Sequence, residues 1–286
     1  MKIIGIVSTF YPNIDELVKN IQTYLYGLDK LIIWENTPAE KSQSALLKEL
    51  LDSTKVEIHT IGKNEYLAAP FNRCIAEAKT LGYDFVLTMD QDSCFDENGF
   101  SLLMVLAEKC FNSGDVAVVG SNSMENKVLK DFLEERNAVI MSGSIIRIDT
   151  FLKLGGFKED LLIDAIDTEY CMRAKKNGYK TLYAHQVSLE HSLGYRHKHW
   201  TGVTLVPYSA QRTYYYIRNS LWMWKHYPSE FEYINQRNFV KYKIVYRTLK
   251  MIFEPDTLRK IHAMLTALWH ARIGKLGTYD HFIVKK

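Results

Sequence analysis

A chain of 286 residues with 47% hydrophobic and 24% charged residues can bury a sizeable core, which excludes disordered, collagen-like and low-complexity classes. Its four cysteines, Cys74, Cys94, Cys110 and Cys171, contain no CxxC pair, which argues against a zinc ribbon, a redox dithiol or a disulfide framework and fits a reducing, cytoplasmic setting. The formal charge of +3 is unevenly shared: residues 195–286 carry 16 Lys and Arg against 5 Asp and Glu, leaving 20 against 28 for the rest of the chain. The opening MKIIGIVS has too short an apolar run for a signal peptide, so no secretion is expected. No uncharged apolar stretch nears the roughly 20 residues that cross a bilayer.

From the start, short β-branched runs alternate with segments of helical period. Strands are expected at IIGIVS (3–8), LIIWEN (31–36), KVEIHTIG (55–62) and DFVLTMD (84–90). Helices are expected between them at 14–27, 42–52 and 67–80. Such alternation predicts a parallel sheet with helices on both faces, whose ligands bind beyond the carboxyl ends of the strands. The residues at those ends are polar: Ser8 and Thr9, then Glu35 and Asn36, then Asn64, then Asp90, Gln91, Asp92 and Ser93. A GxGxxG fingerprint and a GxxxxGK[ST] loop are both missing, which disfavours nicotinamide oxidoreductases and P-loop NTPases but leaves a sugar nucleotide open. Further on, the pattern predicts a helix over 99–112, strands at 116–121, 138–148 and 180–191, and a mainly helical region from Tyr195, broken at Pro228 and Pro255.

Three features carry chemistry. The DQDS stretch at 90–93 holds the one Asp-x-Asp of the chain, directly after a buried strand. Paired carboxylates there suit Mg2+ or Mn2+ held jointly with a diphosphate, whereas an isolated Asp-x-Asp elsewhere reads as a solvated turn. In IDAIDTEYCMR, Asp164 and Asp167 stand three apart, so a helix starting there would place both on one face as candidate bases; an N-cap with surface charges is the plainer alternative. His191 closes the last strand and could join the two aspartates as a third metal ligand. No GxSxG elbow or Cys–His signature supports nucleophilic catalysis.

Half of the 36 aromatic residues lie in residues 195–286, including Tyr214, Tyr215, Tyr216, Trp222 and Trp224. Two readings stay open. The aromatics form the core of a helical subdomain, or part of them meets the inner leaflet of a membrane, where aromatic rings settle at headgroup level and basic residues respond to anionic lipid. No nucleic-acid motif is present, so nucleic acid is not expected as a partner.

Taken in order, these stretches resemble the family 2 glycosyltransferases of the GT-A fold, most closely a bacterial rhamnosyltransferase-like branch. STFYP resembles the family's first strand-end motif, WENT its second, NEYLAAPFNRCIAEA its N-x-G-x-A-x-A-x-N-x-G helix entry, and TMDQDS its metal motif. MSGSIIR, LGGF and LLIDAIDTEYCMRAKKNGY resemble the acceptor segment, and RTYYYIRNSLWMW an Arg-x-Tyr-Tyr-x-x-Arg-Asn helix of that branch. Tyr11, Glu35 and Tyr66 depart from the family's usual Asn, Asp and Gly.

The resemblance implies a Rossmann-like, mostly parallel sheet with flanking helices and a C-terminal helical extension. It divides the chain into a catalytic domain at 1–195 (nucleotide-binding 1–96, acceptor-binding 97–195) and a basic aromatic region at 196–286. It implies donor contacts at Thr9, Phe10, Glu35, Asn36, Asn64, Asn72, Asp90 and Gln91, metal ligands Asp90, Asp92 and His191, and Asp167 as base in preference to Asp164. The implied reaction is inverting transfer of a sugar, rhamnose first, from a nucleoside diphosphate to a glycan or polyprenyl-linked hydroxyl in bacterial surface polysaccharide synthesis, by a peripheral enzyme of the inner membrane face. A homodimer stays open. The alternatives are a UDP-dependent galactofuranosyl- or glucosyltransferase, a sugar-phosphate nucleotidyltransferase, and a non-catalytic membrane-associated scaffold.

Overall fold

The structure, a computed structural model, describes residues 1–123, 132–191, 197–198, 204–205, 208–229, 244–251 and 253–279. The boundary expected near residue 195 and part of the basic aromatic region lie outside the described residues. Contacts divide the chain into two compact units, one of Met1–Phe157 with Tyr170–Ser192, the other of Lys158–Glu169 with Leu193–Lys286.

The first unit opens with the expected alternation: β1 (Ile3–Thr9), α1 (Ile14–Leu25), β2 (Lys30–Glu35), α2 (Ser44–Leu51), β3 (Val56–Thr60), α3 (Ala68–Thr80) and β4 (Phe85–Asp90). Then come β5 (Ser93–Phe95), α4 (Gly99–Phe111), β6 (Val116–Asn122), β7 (Leu133–Glu135), β8 (Ser144–Arg147), α5 (Ile148–Lys153) and β9 (Lys180–His191). The sheet runs β3-β2-β1-β4-β8-β6-β9-β5, with β7 beside β9. Its first four strands are parallel, while β8 runs against both β4 and β6, and β5 against β9. Every residue of β1 is buried, as expected of a central strand covered on both faces. One face packs Ile3 and Val7 with Leu17, Ile21 and Tyr24 of α1 and Phe100 and Leu103 of α4. Another aromatic cluster joins α3 to α5: Phe157 stacks edge-on against Phe71 and Phe151, with ring centroids 6.2 and 4.9 Å apart.

The strand expected over 138–148 is shorter, because only Ser144–Arg147 pair. Gly143 breaks it with φ of +70, and a Cβ there would lie 2.3 Å from Ser121 Oγ and 2.8 Å from Leu189. The freed backbone is bonded otherwise: Thr88 Oγ1 donates to the Met141 carbonyl at 2.6 Å, and Gly143 N–H donates to Thr88 O at 2.9 Å.

In the second unit, α7 (Ala210–His226), α8 (Tyr246–Met251) and α9 (Thr257–Ile273) follow a short β10–β11 pair at His197–Lys198 and Thr204–Leu205. α7 ends ahead of Pro228, and Pro255 falls between α8 and α9, since a proline has no N–H to continue a helix. α7 is capped by Ser209, whose side chain accepts from Arg212 N–H. Tyr214, Tyr215 and Trp222 are buried, so these members of the aromatic run form core. The unit also buries charge: Arg247 grips Glu254 through two bonds of 2.6 and 2.9 Å, and Lys260 reaches the same carboxylate at 2.7 Å. No helix among the described residues is long and apolar enough to cross a membrane.

Candidate functional site

The chain reverses its direction of travel across the sheet between β1 and β4: β2 and β3 are added on one side of β1, and β4 on the other. At such a switch point the loops after two adjacent strands part and leave a crevice at their carboxyl ends. Ser8 pairs with Asp90 at those ends, so the STFYP and DQDS stretches face each other. Gln91 links the two stretches: its Oε1 accepts from Phe10 N–H at 2.7 Å. Asn20 of α1 donates to Gln91 O at 3.1 Å. Phe10 and Tyr11 are left 45% and 49% exposed at the rim.

Asp90, Asp92 and His191 come together here, each half-buried, with one ligand atom apiece lying within 4.8 Å of the others. His191 arrives because β5 and β9 are antiparallel in a register that sets it opposite Ser93. Three hydroxyl bonds then hold the group. Ser93 Oγ lies 2.7 Å from His191 Nδ1, Ser142 Oγ donates to Ser93 Oγ at 2.8 Å, and Asp90 N–H donates to Ser142 Oγ at 3.0 Å. Both serines are buried, so this relay is shielded from water. His191 Nδ1 is 3.6 Å from Asp92 Oδ1. Two carboxylates and an imidazole, half-exposed and steadied from behind, fit a hard divalent ion such as Mg2+ or Mn2+ that keeps room for phosphate oxygens.

A second cluster, Glu57, His59 and Glu77, has similar spacing on β3 and α3. Lys30 already neutralises Glu57 at 2.8 Å and, with that bond as the main cause, holds its carboxyl below the ordinary range. That arrangement is an ion-pair network on an edge strand.

The remaining expected donor residues lie in the same unit, and several of their polar groups are engaged by the protein itself. Asn36 is a hub: its Nδ2 donates to Ser8 Oγ at 3.0 Å and to Tyr66 O at 2.8 Å, and its Oδ1 accepts from Glu65 N–H at 2.9 Å. Thr9 is buried, and its carbonyl accepts from Asn36 N–H at 2.8 Å. Asn64 Oδ1 accepts from Tyr66 N–H at 2.7 Å. Tyr66, which stands where the resembling motif has Gly, takes the left-handed conformation natural to Gly, with φ of +62. Glu35 is buried, accepting from Ser42 Oγ at 2.5 Å, Gln43 N–H at 3.1 Å and Ser44 Oγ, and so shapes the entry to α2. Asn72 bonds the backbone of Phe157 in both directions, at 2.9 and 2.7 Å, and secures the LGGF turn; a Cβ on Gly156 would strike its Oδ1 at 2.6 Å.

The expected pairing of Asp164 and Asp167 on one helix face does not hold. α6 spans Ile166–Lys176, and Asp164 precedes it in a left-handed turn with φ of +61, flanked by Leu162 at +65 and Ala165 at +67. Asp167 sits in the first helical turn, its Oδ1 accepting from Thr168 N–H at 2.7 Å. Within the second unit, α7 holds this strained turn in place. Asn219 Nδ2 is 2.9, 2.8 and 2.9 Å from the carbonyls of Leu161, Ile163 and Asp164. Arg218, fully buried, donates to Asp160 O at 3.0 Å and Gly277 O at 2.6 Å. Tyr227 donates to the buried Glu169 at 2.6 Å, and Arg212 lies 3.5 Å from Asp164. Such strain persists where surrounding bonds over-determine it, commonly at functional turns. Sequence reasoning noticed the Arg-Asn helix but did not find these positioning roles, nor those of Ser93 and Ser142; DQDS and MSGS contained the serines without showing what they touch.

No family model matches the chain. A dTDP-rhamnosyl transferase RfbF of Shigella flexneri is 22% identical over 240 residues, covering 76% of this chain and 78% of that protein. The mannosyltransferase PcManGT from Pyrobaculum calidifontis, solved with GDP-Man and Mn2+, superposes with a TM-score of 0.58 at 14% identity, covering 96% of this chain and 76% of its own. S. aureus TarS 1-349 with UDP-GlcNAc gives 0.55 at 13% identity, covering 96% and 93%. GalNAc-T7 with UDP, GalNAc and Mn2+ gives 0.59 at 11% identity, covering 85% and 54%. The fold is that of the GT-A glycosyltransferases, with a helical C-terminus, and the similarities together support a bacterial glycosyltransferase.

Proposed function

We propose that the chain is an inverting sugar transferase of the family 2 type, moving a rhamnosyl unit from a nucleoside diphosphate donor to a hydroxyl of a glycan or polyprenyl-linked saccharide in surface polysaccharide synthesis. The convergence of Asp90, Asp92 and His191 at the β1/β4 switch point carries it. Similarity to a dTDP-rhamnosyl transferase favours the sugar. Residues 1–96 would bind the nucleotide and 97–195 the acceptor, with 196–286 as the basic appendage.

In this scheme the acceptor oxygen attacks the anomeric carbon as the bond from that carbon to the diphosphate breaks, so configuration inverts in one displacement. Asp167 takes the acceptor proton, and Asp164, bent out of the helix, serves the turn. Asp90, Asp92 and His191 would hold Mg2+ or Mn2+, which when bound neutralises charge on the departing diphosphate. Thr9, Phe10, Asn36, Asn64 and Gln91 shape the nucleotide rim, largely through backbone held by the bonds described above. Glu35 and Asn72 support α2 and the LGGF turn from behind.

A thermal-shift panel of dTDP, UDP and GDP sugars with and without Mn2+ tests this. A rise in melting temperature with dTDP-rhamnose that needs Mn2+ supports it, since a ligand bound only by the folded state stabilises it. A metal-dependent rise with UDP sugars alone moves the donor to the UDP class, which the UDP and UDP-GlcNAc bound by similar structures keep in view. No response to any donor overturns the assignment.

A further inference from the structure

α9 is buried along one side and carries an apolar stripe on the other. Lys260, Ala263, Ala267 and His270 turn inward and are buried. On the opposite side, Leu258, Leu265, Trp269 and Ile273 are 83%, 57%, 59% and 53% exposed. Their spacing of seven, four and four residues keeps them within one narrow stripe, because 3.6 residues make a turn. Arg259 and Arg272 border that stripe, and no Asp or Glu occurs anywhere between Thr257 and Tyr279. His262, exposed one turn after Leu258, also lies in that arc, but a fully water-facing helix would carry polar residues where this one carries leucine, tryptophan and isoleucine.

We propose that this stripe of α9 docks on an anionic lipid surface. The charge pattern selects that occupant. A second copy of the chain meeting face to face would bring arginines against arginines, with no carboxylate on the helix to pair them. A lipid interface instead takes the leucines and isoleucine below the headgroups, sets the Trp269 ring at headgroup level, and offers phosphates to the guanidinium groups. Such a surface would keep a soluble catalytic unit near lipid-linked acceptors.

The experiment is co-sedimentation of the full chain with phosphatidylcholine vesicles, with and without phosphatidylglycerol. Wild type should pellet with the anionic vesicles and stay in solution with the neutral ones. The double variant Leu265→Ser, Trp269→Ser should lose that binding, and each of Arg259→Gln and Arg272→Gln should weaken it roughly fivefold. All four side chains are exposed, so melting temperatures should match wild type. Equal pelleting of the double variant, or equal binding to neutral vesicles, overturns the proposal. So does a wild-type oligomer, seen by light scattering, that falls apart in the double variant, because the stripe would then be a protein interface. Vesicle binding is read without donor or transfer, so it stands or falls separately from the proposed reaction.

Discussion

Replacing Ser142 by alanine removes one oxygen from behind the Asp90–Asp92–His191 group. That oxygen accepts from Asp90 N–H at 3.0 Å and donates to Ser93 Oγ at 2.8 Å, and Ser93 in turn meets His191 Nδ1 at 2.7 Å. With Ser142 buried, Asp90 N–H is left without that acceptor, at a cost of about 1–3 kcal/mol, enough to lower the melting temperature while the chain stays folded. The larger effect falls on the ion. The hydroxyl relay, with Ser93 Oγ 2.7 Å from His191 Nδ1, fixes the direction of the imidazole that would meet the ion. Loss of a partner one shell behind a ligand weakens metal binding about 10–100-fold. Ser142→Ala should sit near the low end, because Ser93 keeps its bond to the ring, and Ser93→Ala near the high end. Calorimetric titration of Mn2+, paired with urea unfolding, separates the two effects. A folded Ser142→Ala protein whose Mn2+ affinity equals or exceeds that of wild type would refute the relay's role.

Asp167→Asn should keep donor affinity within about twofold while transfer falls by about two to four orders of magnitude, as loss of a general base requires; equal loss of both, in paired binding and turnover assays, places the base elsewhere. Tyr66→Gly relieves a left-handed residue at φ +62 and should raise unfolding free energy by about 0.5–1 kcal/mol, the strain of about 1–2 kcal/mol less the added chain entropy. A destabilised Tyr66→Gly in urea melts would show that the ring is needed where it packs. Burial, aided by Lys275 and Arg218, pushes His270 below its ordinary 6.5, and its Nδ1 lies 2.6 Å from the Tyr214 hydroxyl. The unfolded chain therefore takes up a proton near pH 6.5 that the folded chain resists, so this contribution is present above that pH and lost below it. On going from about pH 7 to about pH 5, wild type should lose more stability than His270→Asn, and parallel curves would rule the histidine out.

The polar rim at the strand ends was legible because its residues directly follow β-branched runs, and the period of the runs reports strand and helix without tertiary help. The alternation from β1 to β4 therefore appears within a residue or two of its structural bounds. What failed was non-local. Gly143 shortened an apolar run that reads as one strand, since its left-handed φ is set by packing against Ser121 and Leu189. Asp164 and Asp167 have helical spacing, yet Asn219, 55 residues away from Asp164, holds three left-handed residues just ahead of α6. The three-residue β5 was too short to show a period, although its pairing with β9 is what delivers His191 to the aspartates. In the C-terminal region, composition announced aromatics and cations but not their sorting. Tyr214 and Tyr215 became core while Trp269 faced outward.

The proposed reaction requires Asp90 and Asp92 to grip a divalent ion together with a diphosphate. Manganese electron paramagnetic resonance reads this directly, as free Mn2+ loses its signal on binding. Adding dTDP should tighten Mn2+ binding to wild type, and Asp92→Asn should abolish that tightening while leaving the fold intact. Mn2+ that binds Asp92→Asn as it binds wild type, with dTDP exerting the same pull, would contradict the account.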